Sequence, residues 1–249
     1  MIIDKRLEKF KDIHSGKRCF LIGNGYSLNK INLKLLENEF IFVANWFCLH
    51  KDYPIFKNIY YSKTDQLACR LGKIPPGGYQ KFKKNKNATF FRDVCFKQVN
   101  DRREYFKDDK IYYFHLDRSK DVRIGDEINT DITQPTTYAG TSLCDFVLPL
   151  IYYMGFTEVY AIGIDANQYI KEYPDYSRAH FYPMEELPLI IQNLMKQYSE
   201  GFKPGNLDSS FKYFKELFER DGRKIYNCTI GGDLTVLPRK NYESVINNP

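Results

Sequence analysis

Short apolar runs alternating with amphipathic stretches predict an α/β chain with a mainly parallel sheet and helices on both faces. Cys19 to Ile22, Phe40 to Asn45 and Glu158 to Asp165 are near-continuous apolar runs of strand length. That is how strands covered on both sides read. Each run then gives way to small or polar residues. In open parallel sheets the ligand crevice lies at such carboxyl ends. The chain's 249 residues fit a single α/β domain with a full core.

Taken in order, Ile2 to His14 is charged and amphipathic, with Leu7 and Phe10 at helical spacing, and predicts a short helix beside the sheet. Cys19 to Ile22 runs as a strand into Gly23-Asn24-Gly25. A helix is expected to open at Ser27 and end near Glu39. Glycines at 23 and 25 permit positive φ and let a ligand approach the backbone. Ser27 is placed to cap the helix, whose free N–H groups attract anions. The same turn also serves a plain strand-to-helix connection.

Phe40 to Asn45 is the second strand, followed by Trp46, and Asn58 to Ser62 the third, running into Lys63-Thr64-Asp65. Residues 72–138 read as an irregular insertion, with short strands at Ala88 to Phe91 and Ile111 to Phe114. Thr141 to Tyr153 predicts a buried helix that Pro149 should kink, or whose ladder it should interrupt. Glu158 to Asp165 is the clearest strand. Residues 166–183 are polar and aromatic, suited to a lid loop. Helices follow at Glu185 to Tyr198 and Ser209 to Arg220, then a short strand from Lys224 to Asn227 and a glycine loop at 229–233.

Composition bounds the function. Hydrophobic residues make up 43% and charged residues 27%, ordinary for a globular protein. The net charge of +6 is spread out, apart from the Lys-rich piece Lys81 to Lys86. Nucleic-acid binding would want a denser basic stripe. A mild positive field still gathers an acidic or phosphate-bearing substrate, or holds the chain near an anionic membrane. The six cysteines are scattered without a C-x-x-C pair, as reduced core thiols are. No apolar run reaches the ~18 residues of a spanning helix, and no signal-peptide core is seen. The expectation is a cytoplasmic protein, at most peripheral to the inner face of the membrane. Homo-oligomerisation is left open.

The chemistry concentrates at strand ends. Asn24, Asn45, Thr64, Asp65 and Asp165 close strands, and Gly140-Thr141-Ser142 opens a helix with hydroxyls. One such residue is an ordinary cap. Together on one sheet edge they form a hydrogen-bonding pocket suited to a nucleotide. His180, on the loop after the strongest strand, is the candidate general base, although an exposed loop histidine reads the same way. Tyrosines 169, 173, 176 and 182 surround it in sequence. There is no D-x-D, H-E-x-x-H or G-x-x-x-x-G-K-[ST], so Walker-type NTPases and zincins are set aside. No cofactor and no metal are expected.

In this order, Gly23-Asn24-Gly25-Tyr26-Ser27-Leu28, Ala44-Asn45-Trp46-Phe47, Gly140-Thr141-Ser142, Gly155 to Asp165 and His180-Phe181 resemble the bacterial family-42 sialyltransferases. Those enzymes carry G-N-G-P-S-L, C-N-Q-F, S-G-V, G-Y-K-E-I-Y-L-S-G-I-D and a downstream H-Y. The segments also resemble the broader 6-hydroxymethylpterin diphosphokinase-like group, whose ending I-Y-N-x-T-x-G-G-x-L-x-V-x-P-R is similar to Ile225 to Arg239 here. The resemblance covers roughly residues 18–65 and 136–240.

It implies a Rossmann-like domain with a lid and an inverting transfer from CMP-sialic acid without an essential metal. By the same resemblance, the Gly23 to Ser27 turn and Asn45 hold the cytidine and phosphate, and Gly140, Thr141 and Ser142 line the donor. Asp165 sits by the nucleotide, and His180 deprotonates the acceptor. Asn167 stands where the family places one of two phosphate-binding tyrosines, leaving Tyr173 or Tyr176 as the other. Tyr26 replaces the family proline, and Thr136 falls where an arginine is expected. The expected partners are a CMP-linked sugar and a bacterial surface glycan such as lipopolysaccharide or capsule. Two alternatives stay open: a pterin diphosphokinase using ATP and Mg²⁺, with Asp65, Asp165 and Asp233 as ligands, and a non-catalytic nucleotide-binding component of a glycan assembly complex.

Overall fold

A computed structural model describes residues 4–64, 81–96, 110–119, 127–166, 171–172, 177–187, 189, 192–193 and 205–247. Its centre is a seven-stranded sheet. The strands are β1 (Arg18–Ile22), β2 (Phe40–Ala44), β3 (Asn58–Lys63), β4 (Thr89–Asp93), β5 (Ile111–Phe114), β8 (Glu158–Ile162) and β9 (Lys224–Asn227). They lie in the order β5-β4-β3-β2-β1-β8-β9, and every neighbouring pair is parallel. The fold is α/β and Rossmann-like. Two short strands, β6 (Leu116–Asp117) and β7 (Thr136–Thr137), form a separate parallel pair.

The pleat sends alternate residues to opposite faces. Cys19 and Leu21 of β1 join the core with Phe42, Phe91, Val159 and Ala161. Phe20 and Ile22 join Ile41, Val43, Tyr61 and Ile162 on the other side. The first face is covered by α1 (Leu148–Tyr153) and α2 (Gly205–Arg220). In α2, buried Leu207, Phe211, Phe214 and Phe218 recur at helical spacing and enter that core. The second face is covered by short 3₁₀ turns and by α3 (Tyr242–Asn247), whose Tyr242 and Val245 are buried.

Three expectations are revised. The helix from Ser27 to Glu39 is instead two 3₁₀ turns, Tyr26–Lys30 and Leu33–Leu36, the second capped by the Asn32 side chain accepting from the Lys34 N–H. The Ile2 to His14 helix is a 3₁₀ turn, Lys5–Phe10, capped by Asp4. The strands expected at Ala88 to Phe91 and Ile111 to Phe114 are β4 and β5; what is revised is that both belong to the main sheet and not to an irregular insertion. Pro149 lies just beyond a π-helical turn, Leu143–Val147, that leads into α1. Its missing N–H therefore falls where the ladder is already irregular. Most of the Glu185 to Tyr198 helix lies outside the described residues.

The outer edge of β5 is covered by the N-terminal segment. The Tyr113 N–H donates to Asp4 Oδ2 at 3.3 Å, and Arg6 Nη2 donates to the Ile111 carbonyl at 2.6 Å. Paired backbone groups of this kind keep an edge strand from recruiting another. Among the described residues no helix is long and apolar enough to cross a membrane.

Candidate functional site

The chain runs outward from β1 to β5, then returns to β8 on the other side of β1. This reversal makes the β1/β8 gap the topological switch point, where open α/β sheets place ligands. Here the gap is closed by protein. The Gly23 N–H donates to the Ile162 carbonyl at 2.9 Å and the Gly25 N–H to the Gly163 carbonyl at 2.8 Å. A Cβ at Gly23 would lie 2.3 Å from the Gly163 oxygen, and one at Gly25 would lie 2.5 Å from Asp165 Cγ. Neither glycine has positive φ. The space a Cβ would take at either position is filled by the Gly163 and Asp165 turn, so packing of chain on chain requires glycine there.

Asp165 is the packing partner. Buried three residues past β8, it accepts from the Ser27 N–H at 2.9 Å and, by a short bond, from the Ser27 hydroxyl. Burial raises its pKa, and these Ser27 hydrogen bonds oppose the rise. Ser27 is thus a donor to Asp165, while Gly25 holds the N-cap position without a side-chain cap.

A second carboxylate fills the other expected phosphate turn. Asp145, on the π-helical turn, accepts from the Ala139 N–H at 2.7 Å. Burial pushes its carboxyl up to about 7, opposed by backbone hydrogen bonds from Ala139, Thr141 and Gly140 and by the Arg118 charge. The amides of the Gly140 turn therefore face an internal anion. A carboxylate inside the apolar helix run Leu143 to Leu150 was the sequence signal for this, and its partner was not visible there.

A polar cluster lies at the ends of β1, β2 and β3. Asn45 Nδ2 donates to Ser142 Oγ at 2.9 Å, and Thr64 Oγ1 donates to the same oxygen at 2.5 Å. Asn24 Nδ2 donates to the Ala44 carbonyl at 3.1 Å, which brings it beside Asn45. The side-chain oxygens of both asparagines are buried, and among the described residues neither has a hydrogen-bond partner. Buried acceptors of this kind are uncommon and call for an explanation.

Asn45 also sits at φ 57°, a left-handed conformation that asparagine tolerates better than most residues. It is held there by its N–H donating to the Ser62 carbonyl at 3.1 Å and by the Tyr61 hydroxyl donating to its own carbonyl.

His180 comes to the rim of this cluster. The Phe181 N–H donates to the Asn24 carbonyl at 3.0 Å, and Asn29 Nδ2 donates to the Phe181 carbonyl at 3.2 Å. The half-buried imidazole stacks on Tyr182 with centroids 5.0 Å apart. Burial pulls its pKa down to about 4, against a hydrogen bond with the Asn24 main chain. The ring is therefore neutral near pH 7. Arg178, which sequence reasoning passed over, lies 5.3 Å from the Tyr26 ring centroid.

The structure thus gathers Asn24, Asn45, Thr64 and Ser142 with His180 at the rim, and it turns Asp165 inward. Asp65, Asn167, Tyr173 and Tyr176 lie outside the described residues. Among the described residues no group of three or more His, Cys, Asp or Glu side chains is placed to share a metal ion. No protein-family model matches the chain, and no curated protein matches it significantly.

Proposed function

We propose that this chain is an inverting glycosyltransferase that moves an acidic sugar of the sialic acid class from a CMP-linked donor to a bacterial surface glycan. The observation that carries the proposal is the pair of buried, unpartnered amide oxygens of Asn24 and Asn45, beside the hydroxyls of Thr64 and Ser142. Such acceptors suit the amino group of a cytosine or the hydroxyls of a ribose. With the backbone turns committed to Asp165 and Asp145, the phosphate contacts fall to side chains, and Tyr173 and Tyr176 are the candidates the family resemblance supplies.

In the proposed reaction an acceptor hydroxyl oxygen bonds to the anomeric carbon while the bond from that carbon to the phosphate oxygen breaks. The hydroxyl proton passes to His180, neutral at working pH. The phosphate leaves as a stable anion and needs no general acid. Positioned donors stabilise its developing charge.

The test is a thermal-shift screen of CMP, CDP, UDP, GDP, ATP and AMP, with and without Mg²⁺, followed by turnover of CMP-sialic acid. A ligand that binds only the folded state raises Tm with the logarithm of its concentration. Stabilisation by CMP, donor turnover, and a loss of at least ~100-fold in turnover for His180→Ala with CMP binding retained are the expected results. Stabilisation by ATP or AMP only with Mg²⁺ would move the assignment to pyrophosphoryl transfer. Nucleotide binding without turnover of any donor would leave a binding component.

A further inference from the structure

Beyond β9, the segment from Asn227 to Arg239 folds into a loop that braces Asp165. Arg239 Nη1 donates to the Thr229 carbonyl at 3.0 Å, and Nη2 donates to the Gly231 and Gly232 carbonyls at 2.6 and 2.8 Å. Asn227 secures the loop from within. Its Nδ2 donates to the Leu234 carbonyl at 2.9 Å, and its Oδ1 accepts from the Thr229 N–H at 2.9 Å. Gly231 and Gly232 take φ of 72° and 82°, values that glycine adopts without cost.

The loop touches the turn after β8 at three points. Thr229 Oγ1 accepts from the Ile164 N–H at 3.1 Å. The Asp233 N–H donates to the Asp165 carbonyl at 3.0 Å. A Cβ at Gly232 would lie 3.2 Å from Asp165 Cα. Asp165 is therefore pressed between Gly232 on one side and Gly25 on the other, and its carboxylate holds Ser27. From Ser27 the turn runs back to Asn24, whose carbonyl holds the His180–Phe181 segment.

We propose that Arg239 and Thr229 are positioning residues. They fix the loop against Asp165, and through Asp165 they set the Gly23–Ser27 turn and the Asn24 amide at the candidate site. Both act through Asp165 and not by contact with a ligand. The consequence for ligand affinity rests on the proposed nucleotide site, and the positioning itself does not.

The test compares wild type with Arg239→Gln, Thr229→Val and Thr229→Ser. Hydrogen exchange of the Gly25 and Ser27 amides is read beside that of β1 and β2, and CMP affinity is measured by calorimetry. Valine matches threonine in shape but removes the acceptor for the Ile164 N–H, and serine restores it. The expected result is exchange at Gly25 and Ser27 at least ten times faster in Arg239→Gln and Thr229→Val. The strand amides should be unchanged and Thr229→Ser close to wild type. CMP affinity should fall by a similar factor in the same two variants.

Faster exchange confined to 227–239, or raised equally across the sheet, would overturn the positioning role and leave a purely structural loop. So would failure of serine to rescue. Absence of CMP binding in the wild type would count against the proposed function alone, since the exchange pattern still decides the relay.

Discussion

The Asp165 carboxylate accepts both the main-chain N–H and the hydroxyl of Ser27, across 138 positions of sequence. Ser27 is fully buried and Asp165 nearly so, so the bond ties the turn after β1 to the turn after β8 with little competition from water. Removing the hydroxyl leaves a buried carboxylate short of a donor. Ser27→Ala should cost about 2 kcal/mol at pH 7. The cost should shrink as pH falls through the carboxyl's raised pKa, because the protonated carboxyl depends less on donors. Urea unfolding across a descending pH series measures this, and a cost that stays constant throughout the series would show that the bond is not to an ionised Asp165.

Gly23 and Gly25 should differ in their tolerance of alanine. At Gly23 the added Cβ meets the Gly163 carbonyl at 2.3 Å, and at Gly25 it meets the end of the Asp165 side chain at 2.5 Å. Backbone yields less than a side chain. Gly23→Ala is expected to cost about 3 kcal/mol or to prevent folding, and Gly25→Ala roughly 1–2 kcal/mol. Denaturant midpoints of the two variants give the order, and the reverse order would contradict this account of the β1/β8 contact.

Asn45→Gly should separate stability from binding. Glycine relieves the left-handed backbone by roughly 1 kcal/mol, while the bond to Ser142 Oγ is lost at about the same cost. The melting temperature should therefore stay near wild type. CMP affinity should fall at least tenfold, because the buried amide acceptor is gone. Calorimetry on the folded variant is the measurement, and unchanged affinity would remove Asn45 from the site.

Acid should weaken the fold through His14 as well as His180. His14 lies in a cage of Phe40, Tyr60 and Phe156, and burial, with Lys17 nearby, lowers its pKa to about 4. An unfolded histidine takes up its proton near pH 6.5. The stability these neutral rings contribute is therefore complete above that pH and is lost as pH falls toward 4. The loss for the two together is on the order of 2 kcal/mol after allowing for solvent screening. Asp145, with its raised pKa, works in the opposite sense and destabilises as pH rises through about 7. The readable quantity is thus the difference between wild type and His14→Phe, whose stability should fall less steeply between pH 6.5 and 4.

The strands were legible because parallel strands buried on both faces read as apolar runs. Cys19 to Ile22 and Lys224 to Asn227 fall where β1 and β9 lie, allowing one residue at the start of β1. That Asn24, Asn45, Thr64 and Ser142 come together was legible for a related reason, since each follows or opens an element on the same edge. The 3₁₀ turns between Tyr26 and Leu36 were not. Leu28, Leu33 and Leu36 give an apolar stripe close to helical spacing, and sequence does not show that the turn restarts at Asn32. Least legible were the internal partners of the two glycine turns. Asp165 pairs with Ser27 across the sheet and Asp145 reaches back six residues to Ala139, and a lone carboxylate beside an apolar run signals burial without naming what it faces.

The position of β1 bears on how the chain is made. It pairs with β2 on one side and β8 on the other, and Glu158 leaves the ribosome roughly 140 residues after its partner Arg18. At ordinary elongation rates that interval is roughly seven to thirty seconds. Throughout it β1 has one side unpaired, so completion of the sheet waits on translation of β8.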